Sequence, residues 1–421
     1  MSSVLPFPLD NQAKSSDASK TSLLSAVELF AGAGGLALGV ESSGFFHAAV
    51  VERDPAACKT IRENAKRGVI ANWPLVEGDV RSLHYGDLAH DLDLLSAGPP
   101  CQPFSLAGKQ RGRSDSRDMF PETIRAVREL RPKAFLIENV KNLESISSGN
   151  YMEYIRLQLQ YPEIERKVGE KWSTHLARLE RTHTNGKENI GYRLVTHTLN
   201  AADYGIPQKR DRVFMVGVRS DLGMAFSFPE PTHSVQALIS AKWKTNTYWD
   251  SVGVAKKNRP QIPPRIFGKI DEIAAMPEST RKPWVTVRQA LIGLPEPKAD
   301  FTEIENHEYL DGARVYEGHT GSPLDEPAKT IKAGSHGVPG GENMLVKDNG
   351  AVRYFTMREC ARLQTFPDKY FFTGSWGMMV RQLGNAVPVS LAKIVSGAVA
   401  DAIKGHYKME MGKNVGSRNY N

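Results

Sequence analysis

"VELFAGAGGLALG", Val27 to Gly39, is the stretch on which the fold turns. Apolar residues around one acid lead into a loop carrying Gly32, Gly34 and Gly35, and small and apolar residues suited to a helix follow. Glycine has no Cβ, so such a loop can turn tightly and let the backbone approach a ligand. Gly32-x-Gly34-x-x-Ala37 also satisfies the dinucleotide fingerprint. Glu52 ends the next apolar run, 20 residues past Gly32, where a carboxylate can accept hydrogen bonds from both hydroxyls of a ribose. On these residues a nucleoside-containing cofactor competes with a plain strand–helix turn beside a surface acid. NAD, FAD and S-adenosylmethionine are not separated at this point.

The same texture continues outward. "SAVELF", "FHAAVVE", "LDLLSAG" and "KAFLIENV" are short, nearly continuous apolar runs. Between them lie segments of helical texture, "DPAACKTIRENAKRG" and "PETIRAVRELRP". Strands alternating with helices predict a parallel sheet covered on both faces. After a charged insertion at about 150–190 the pattern resumes with "YRLVTHTLNA" and "RVFMVGVR". Residues 221–353 are rich in Pro, Gly and basic side chains and poor in helical periodicity, which predicts a second, irregular domain. "TMRECARLQTFP" then restores a helix, with Thr356 and Glu359 spaced as a capping box and Pro367 as its stop. A last helix is expected over "VSLAKIVSGAVADAIKG", followed by a polar tail from His406 that frays.

The 421 residues suffice for two domains, and the net charge of +7 is a mild basic excess, weak evidence by itself for a polyanionic partner. Three cysteines, Cys58, Cys101 and Cys360, form neither a disulfide framework nor a zinc site, and a reducing, cytosolic setting fits them. No run approaches the roughly 18 apolar residues of a membrane helix. The Ser-rich first 24 residues read as a loose leader.

"GPPCQPFS", residues 98–105, stiffens the backbone around one thiol with Pro99, Pro100 and Pro103. It lies just past an apolar run, at the end of a parallel strand where ligands bind in such sheets. That suits a nucleophile that needs aim, although a free cysteine is more often a buried structural one. "LIENV" puts Glu138 and Asn139 at the next strand end, as a capping acid or a catalytic one. "EGDV" offers Asp79 and Val80 to an adenine edge or to a plain turn. "QKRDRVFMVG" sets Gln208, Arg210 and Arg212 at alternate positions, an arrangement that predicts one shared face toward a cleft or a phosphate, or else a solvated edge.

Together, in this order, the motifs resemble the DNA (cytosine-5) methyltransferases over the whole catalytic body, with "DSRDMF" at 115–120, "RECARLQTFPDKY" and "QLGNAVPV" completing the set. A dehydrogenase shares the glycine loop but has no reason for the rest. The resemblance implies an α/β, Rossmann-like class I methyltransferase fold with a mostly parallel twisted sheet, plus a small irregular target-recognition domain. Its expected layout is a catalytic domain over 25–220, a recognition domain over 221–353, a return over 354–405 that completes the catalytic domain, and a flexible tail over 406–421. The implied catalytic residues are Cys101 as nucleophile, Glu138 as acid, and Arg210 and Arg212 to hold the base or its backbone. S-adenosylmethionine is the implied cofactor, contacted by Phe30, Ala31, Gly32, Gly34, Gly35, Leu36, Glu52, Asp79, Val80, Pro99, Met119, Asn385 and Val387, and no metal is implied. The implied partner is double-stranded DNA, bound by a monomer in the cytoplasm, with a cognate endonuclease or another defence protein as a further partner. Two other readings are methylation of RNA and a silent DNA-binding relative. The first lacks the Cys-Phe-Thr signature of the RNA branch, and the second is disfavoured because Cys101 and Glu138 are both present.

Overall fold

The computed structural model describes residues 23–100, 118–141, 149–186, 191–275, 280–298, 303–317, 320–334 and 343–416. Two compact units emerge. One gathers Thr21–Leu199, Asp211–Pro229 and Ala392–Asn421; the other gathers Asn200–Arg210 with Glu230–Leu391.

The first is an α/β unit. Its strands are β1 (Leu24–Leu29), β2 (Phe45–Glu52), β3 (Leu75–Glu77), β4 (Leu94–Ala97), β5 (Ala134–Val140), β6 (Tyr192–Asn200) and β7 (Asp211–Arg219). They form one sheet in the order β3-β2-β1-β4-β5-β7-β6. β1 pairs in parallel with β2 and β4, β4 with β5, and β7 runs antiparallel to β5. The order therefore reverses between β1 and β4, and the crevice outside their carboxyl ends is the switch point where open α/β sheets bind ligands.

The helices are α1 (Gly35–Ser42), α2 (Pro55–Lys66), α3 (Phe120–Leu130), α4 (Gly149–Gln160) and α5 (Trp172–Thr184). α2 starts where the sequence predicts: Pro55 opens it, and Asp54 Oδ1 accepts the amides of Ala56 and Ala57 at 2.8 and 3.2 Å. One sheet face buries Val27, Leu29, Leu95, Ala97, Phe135, Ile137, Val213 and Met215 against Phe120, Ile124 and Val127 of α3 and against apolar residues of α4 and α5. Alternation turns Glu28, Ser96, Glu138 and Arg212 to the other face. There α1 meets the C-terminal helix so closely that a Cβ on Gly39 would lie 2.3 Å from the Ala392 Cβ.

That last helix corrects two expectations. It runs over Val389–Gly416 instead of fraying at His406, because Tyr407 is anchored: its hydroxyl donates to Asp93 Oδ1 at 2.6 Å and its ring lies under Lys133 Nζ. In addition, the segment Trp376–Met411 does hold an 18-residue window of mean hydropathy 1.5, although 61% of that window is buried inside the protein, as in a core helix.

The second unit is less irregular than its composition suggests. Ser234 caps a helix over Val235–Trp243, and Leu238, Ala241, Tyr248 and Trp249 form a small core. Three short strands, Ser322–Pro323, Met344–Val346 and Val352–Tyr354, make a sheet. The Thr356–Glu359 capping box is present, and the Glu359 carboxylate also receives the Arg353 fork at 2.7 Å on both oxygens. These ties put 354–391 in the same unit as 230–353, so the packing divides at Leu391 and not at the expected boundary after 353.

Candidate active site

The glycine loop takes the shape its residues require. Phe30, Gly32 and Gly34 all have positive φ, at 59°, 54° and 82°. Gly34 is the N-cap of α1 and makes no side-chain cap. Glu52 lies beside the loop at the end of β2. Its Oε2 accepts the Gly32 amide at 2.7 Å, while Oε1 accepts the amides of Arg53 and Asp54 at 2.8 and 2.6 Å. Oε1 thus has both lone pairs engaged, whereas Oε2 keeps a second one, with which the fixed carboxylate can still accept a hydroxyl donor. A Cβ built on Gly32 would meet nothing within 4 Å, which leaves open space over the loop.

At the end of β3, Asp79 caps the turn that follows and is gripped by Arg81, whose Nε and Nη2 donate at 2.9 and 2.6 Å. Those bonds, with the Arg81 amide, hold the Asp79 carboxyl well below the usual carboxylate range. Val80 behind it is buried.

The ends of β4, β5 and β7 supply the polar centre. Asn139 Nδ2 donates to the Pro99 carbonyl at 3.1 Å and so ties the segment leading to Cys101 onto β5. Glu138 lies opposite Phe214 in the antiparallel register, which makes Arg212 its diagonal neighbour on the same face. Arg212 Nε donates to Glu138 Oε1 at 2.9 Å, with both side chains about nine-tenths buried. A Cβ on Gly98 would lie 3.8 Å from Glu138 Oε2 and 3.9 Å from the Phe30 carbonyl, so the ends of β1, β4 and β5 converge. Met119 is buried at the start of α3. Cys101 itself lies outside the described residues. The other two cysteines are buried, and burial pushes both thiols up, Cys58 to about 12.

Phe30, Ala31, Gly32, Gly34, Gly35, Leu36, Glu52, Asp79, Val80, Pro99, Met119, Glu138 and Arg212 thus belong to the α/β unit. Three expected residues belong to the other. Asn385 is exposed at the end of the helix Trp376–Asn385, and Val387 is buried just beyond it. Arg210 does not share a strand face with Arg212, because β7 begins only at Asp211. Arg210 is fully buried, and its fork holds the carbonyls of Ile331, Gly384 and Ala386 at 2.9, 2.7 and 2.8 Å. Gln208, also fully buried, accepts the Ile331 amide at 3.0 Å and donates to the Leu363 carbonyl at 3.2 Å. These contacts make Arg210 a keystone of its own unit. Motif spacing missed Glu28 and Ser96. The signal for Glu28 was its charge in the middle of an apolar strand.

The sheet order, the glycine loop with its acid, and the crevice at the β1–β4 switch point define a Rossmann-like methyltransferase. The chain belongs to the C-5 cytosine-specific DNA methylase family, whose model matches residues 24–161 and 176–401, and it is a DNA cytosine-5 methyltransferase. It is 34% identical over 379 residues to the Type II methyltransferase M.PspPI of a Psychrobacter strain, covering 89% of this chain and 78% of that protein. It is 30% identical over 388 residues to the Type II methyltransferase M.NgoMIV of Neisseria gonorrhoeae, covering 90% of this chain and 97% of that one. The fold also matches the crystal structure of the S. pombe Dnmt2 methyltransferase, at 18% identity and a TM-score of 0.52, over 91% of this chain and 99% of that one. A DNMT2 structure from Spodoptera frugiperda matches at 16% identity and a TM-score of 0.54, over 89% and 99%.

Proposed function

We propose that the chain methylates carbon-5 of one cytosine in a short double-stranded DNA sequence, with S-adenosylmethionine as donor and Cys101 as covalent nucleophile. The observation that carries this reading is the buried Glu138–Arg212 pair at 2.9 Å, next to the backbone that leads through Gly98 and Pro99 to Cys101.

The donor set fits the cofactor. Glu52 is fixed by three amides as a ribose acceptor, and the space over Gly32 would be narrowed by any side chain. Bound there, S-adenosylmethionine supplies an electrophilic sulfonium methyl group. The protein's task is to make carbon-5 nucleophilic. The Cys101 thiolate adds to carbon-6, which moves the ring's electron pair to carbon-5 as an enamine. Glu138 hydrogen-bonds ring nitrogen-3 and the exocyclic amine and stabilises the charge that develops there. Arg212 fixes the orientation of Glu138 and supplies positive charge that favours the thiolate. After methyl transfer, a base or water molecule takes the carbon-5 proton, the C–H electron pair re-forms the ring double bond, and the bond from carbon-6 to sulfur breaks to release the Cys101 thiolate. Carbon-6 is out of reach inside a stacked duplex, so the base leaves the helix before reaction. Residues 221–353, with their Lys, Arg and Trp, are the target-recognition segment, suited to phosphate and base-edge contacts. The similarity to Type II methyltransferases supports a restriction-modification context, in which a cognate endonuclease is the further partner.

The test is bisulfite sequencing of DNA from cells expressing the protein, beside a Cys101→Ala control. Protected cytosines in one short motif, absent from the control, are expected. Equal protection by the control would remove Cys101 from the mechanism, and soluble protein that protects no cytosine in DNA would overturn the substrate.

A further inference from the structure

The family model leaves out residues 162–175, "PEIERKVGEKWSTH", which join α4 to the first turn of α5. The stretch is nevertheless closely held. Arg131 Nε, at the C-cap of α3, reaches Glu163 Oε1 at 3.0 Å, and Arg128 Nη2, in the last turn of α3, reaches Glu165 Oε2 at 3.2 Å. Arg178 Nη2, on α5, donates to Glu170 Oε2 at 3.0 Å and to the Glu165 carbonyl at 2.5 Å. Glu170 Oε2 also accepts the Lys167 amide at 2.8 Å. The buried His175 bonds the Ile164 carbonyl through Nε2 at 2.7 Å. Gly169, at φ 75°, makes the turn that these contacts enclose. A partner that docks here meets a surface already ordered, so loop-ordering entropy does not weaken its binding.

The same contacts sort the charges. Each acid of the stretch faces an arginine of a helix: Glu163 and Glu165 face α3, and Glu170 faces α5. The cations between them, Arg166, Lys167 and Lys171, are exposed, and none forms an ion pair among the described residues. Val168 is fully exposed, so the tip of the turn faces solvent. Three cations on an ordered turn whose acids are all engaged elsewhere suit a polyanion. The turn also lies toward the crevice. The Trp172 ring is 6.0 Å from that of Tyr154 on α4. Tyr151, three residues earlier and on the same helix face, donates its hydroxyl to Asp118. Asp118 in turn accepts the Phe120 amide at 3.1 Å at the start of α3. α3 connects the parallel strands β4 and β5, so its start lies at their carboxyl ends, where the crevice is.

We propose that Arg166, Lys167 and Lys171 grip phosphates of duplex DNA that flanks the target sequence, and so add affinity that carries no sequence information. This rests on the reading of the crevice as the site of DNA methylation. The variant combines Arg166→Gln, Lys167→Gln and Lys171→Gln in the full-length protein, which leaves the Glu–Arg pairs and His175 in place. The probes are a long duplex centred on the methylated motif, a short duplex trimmed to that motif, and a long duplex without it. The measurements are affinity for each as a function of salt, kcat at saturating DNA, and the KM for S-adenosylmethionine.

Both long duplexes bind the variant roughly tenfold more weakly at low salt, and log affinity falls less steeply with log salt, by about 2–3 in slope for the three lost cations. The short duplex binds both proteins alike. kcat and the KM for S-adenosylmethionine hold within about twofold, which a damaged fold would not allow. Equal affinity of variant and wild type for the long duplexes overturns the proposal and leaves the cations for an acidic protein. A loss confined to motif-bearing DNA, or equally large on the short duplex, also overturns it, since the turn would then touch the target itself. A wild-type protein that binds none of the three duplexes overturns the reading of the crevice together with this one. If the triple variant does not fold, Lys171→Gln decides: its slope is shallower by about 1 on the long duplexes, and an unchanged slope refutes the contact.

Discussion

Glu138 and Glu28 lie on one face of one sheet, both buried, and their surroundings could hardly differ more. Glu138 ends its strand at the switch-point crevice and receives the Arg212 Nε at 2.9 Å. Glu28 is in mid-strand, where the Ser96 hydroxyl donates to Oε2 and no ion pair forms among the described residues, and burial pushes its pKa up to about 8. The same side chain is thus an ion-paired acid in one place and a neutral one at pH 7 in the other. The difference comes from the neighbouring strand: an antiparallel β7 brings an arginine beside β5, whereas the parallel β4 brings only a serine beside β1. An acid intended for chemistry needs access and a compensating charge.

The strongest way to break this contrast is to neutralise Glu138. Glu138→Gln keeps the volume but cannot carry a proton to or from the base. Turnover is expected to fall by two to four orders of magnitude, in the range that a positioned acid contributes, while donor affinity is unchanged. Single-turnover methylation of a DNA duplex measures it. Near-wild-type rates would make Glu138 a structural partner of Arg212, no different in kind from Glu28.

The pH dependence of stability sharpens the contrast at smaller scale. Between the ordinary carboxyl value of 4.5 and about 8, the folded protein keeps a proton on Glu28 that the unfolded chain has released. The unfolded state therefore binds fewer protons across that window, so this group's contribution to stability falls as pH rises from 4.5 to about 8 and levels off above it. Glu28→Gln does not titrate. Its stability relative to wild type should grow over the same window, by roughly 3 kcal/mol at pH 7. Denaturant titrations of both proteins at pH 5, 7 and 9 test it, and a difference that does not vary with pH would mean that Glu28 is charged in the fold.

Much of this was legible in the chain, for physical reasons that differ by residue. The parallel strands announced themselves as apolar runs because both faces of the sheet are covered. Glu138 and Glu52 were legible because an acid closing such a run has to sit at a strand end, where a crevice can use it. Arg210 misled because alternation seemed to unite it with Arg212, and the chain leaves the strand between them. Its contacts with Ile331, Gly384 and Ala386 span more than 120 residues of sequence, which no local pattern reports. Glu28 was visible as a letter but not as a place, since its neighbours Val50 on β2 and Ser96 on β4 are set only by folding. The second unit read as irregular because its helices are short and their caps carry more of the signal than their periodicity.

The helix extension past His406 was missed for the same reason, and it supplies a third carboxylate for the comparison. Asp93 precedes β4, at the opposite end of that strand from Gly98. It is buried like the other two but fully engaged: it accepts the Ser25 amide at 2.8 Å and the Tyr407 hydroxyl at 2.6 Å, and Lys133 Nζ lies at 3.2 Å. With a cation and several donors but no crevice, Asp93 fastens the C-terminal helix to the sheet and does no chemistry. Tyr407→Phe removes one donor and keeps the ring against Lys133. It should lower stability by about 1–2 kcal/mol, as expected for a hydrogen bond to a charged group, and leave methylation unchanged. Denaturation with a matched activity assay is sufficient. No loss of stability would mean that the helix end is as loose as its polar composition implied. A loss of turnover would mean that the grip of this helix on α1 reaches the donor loop from the far end.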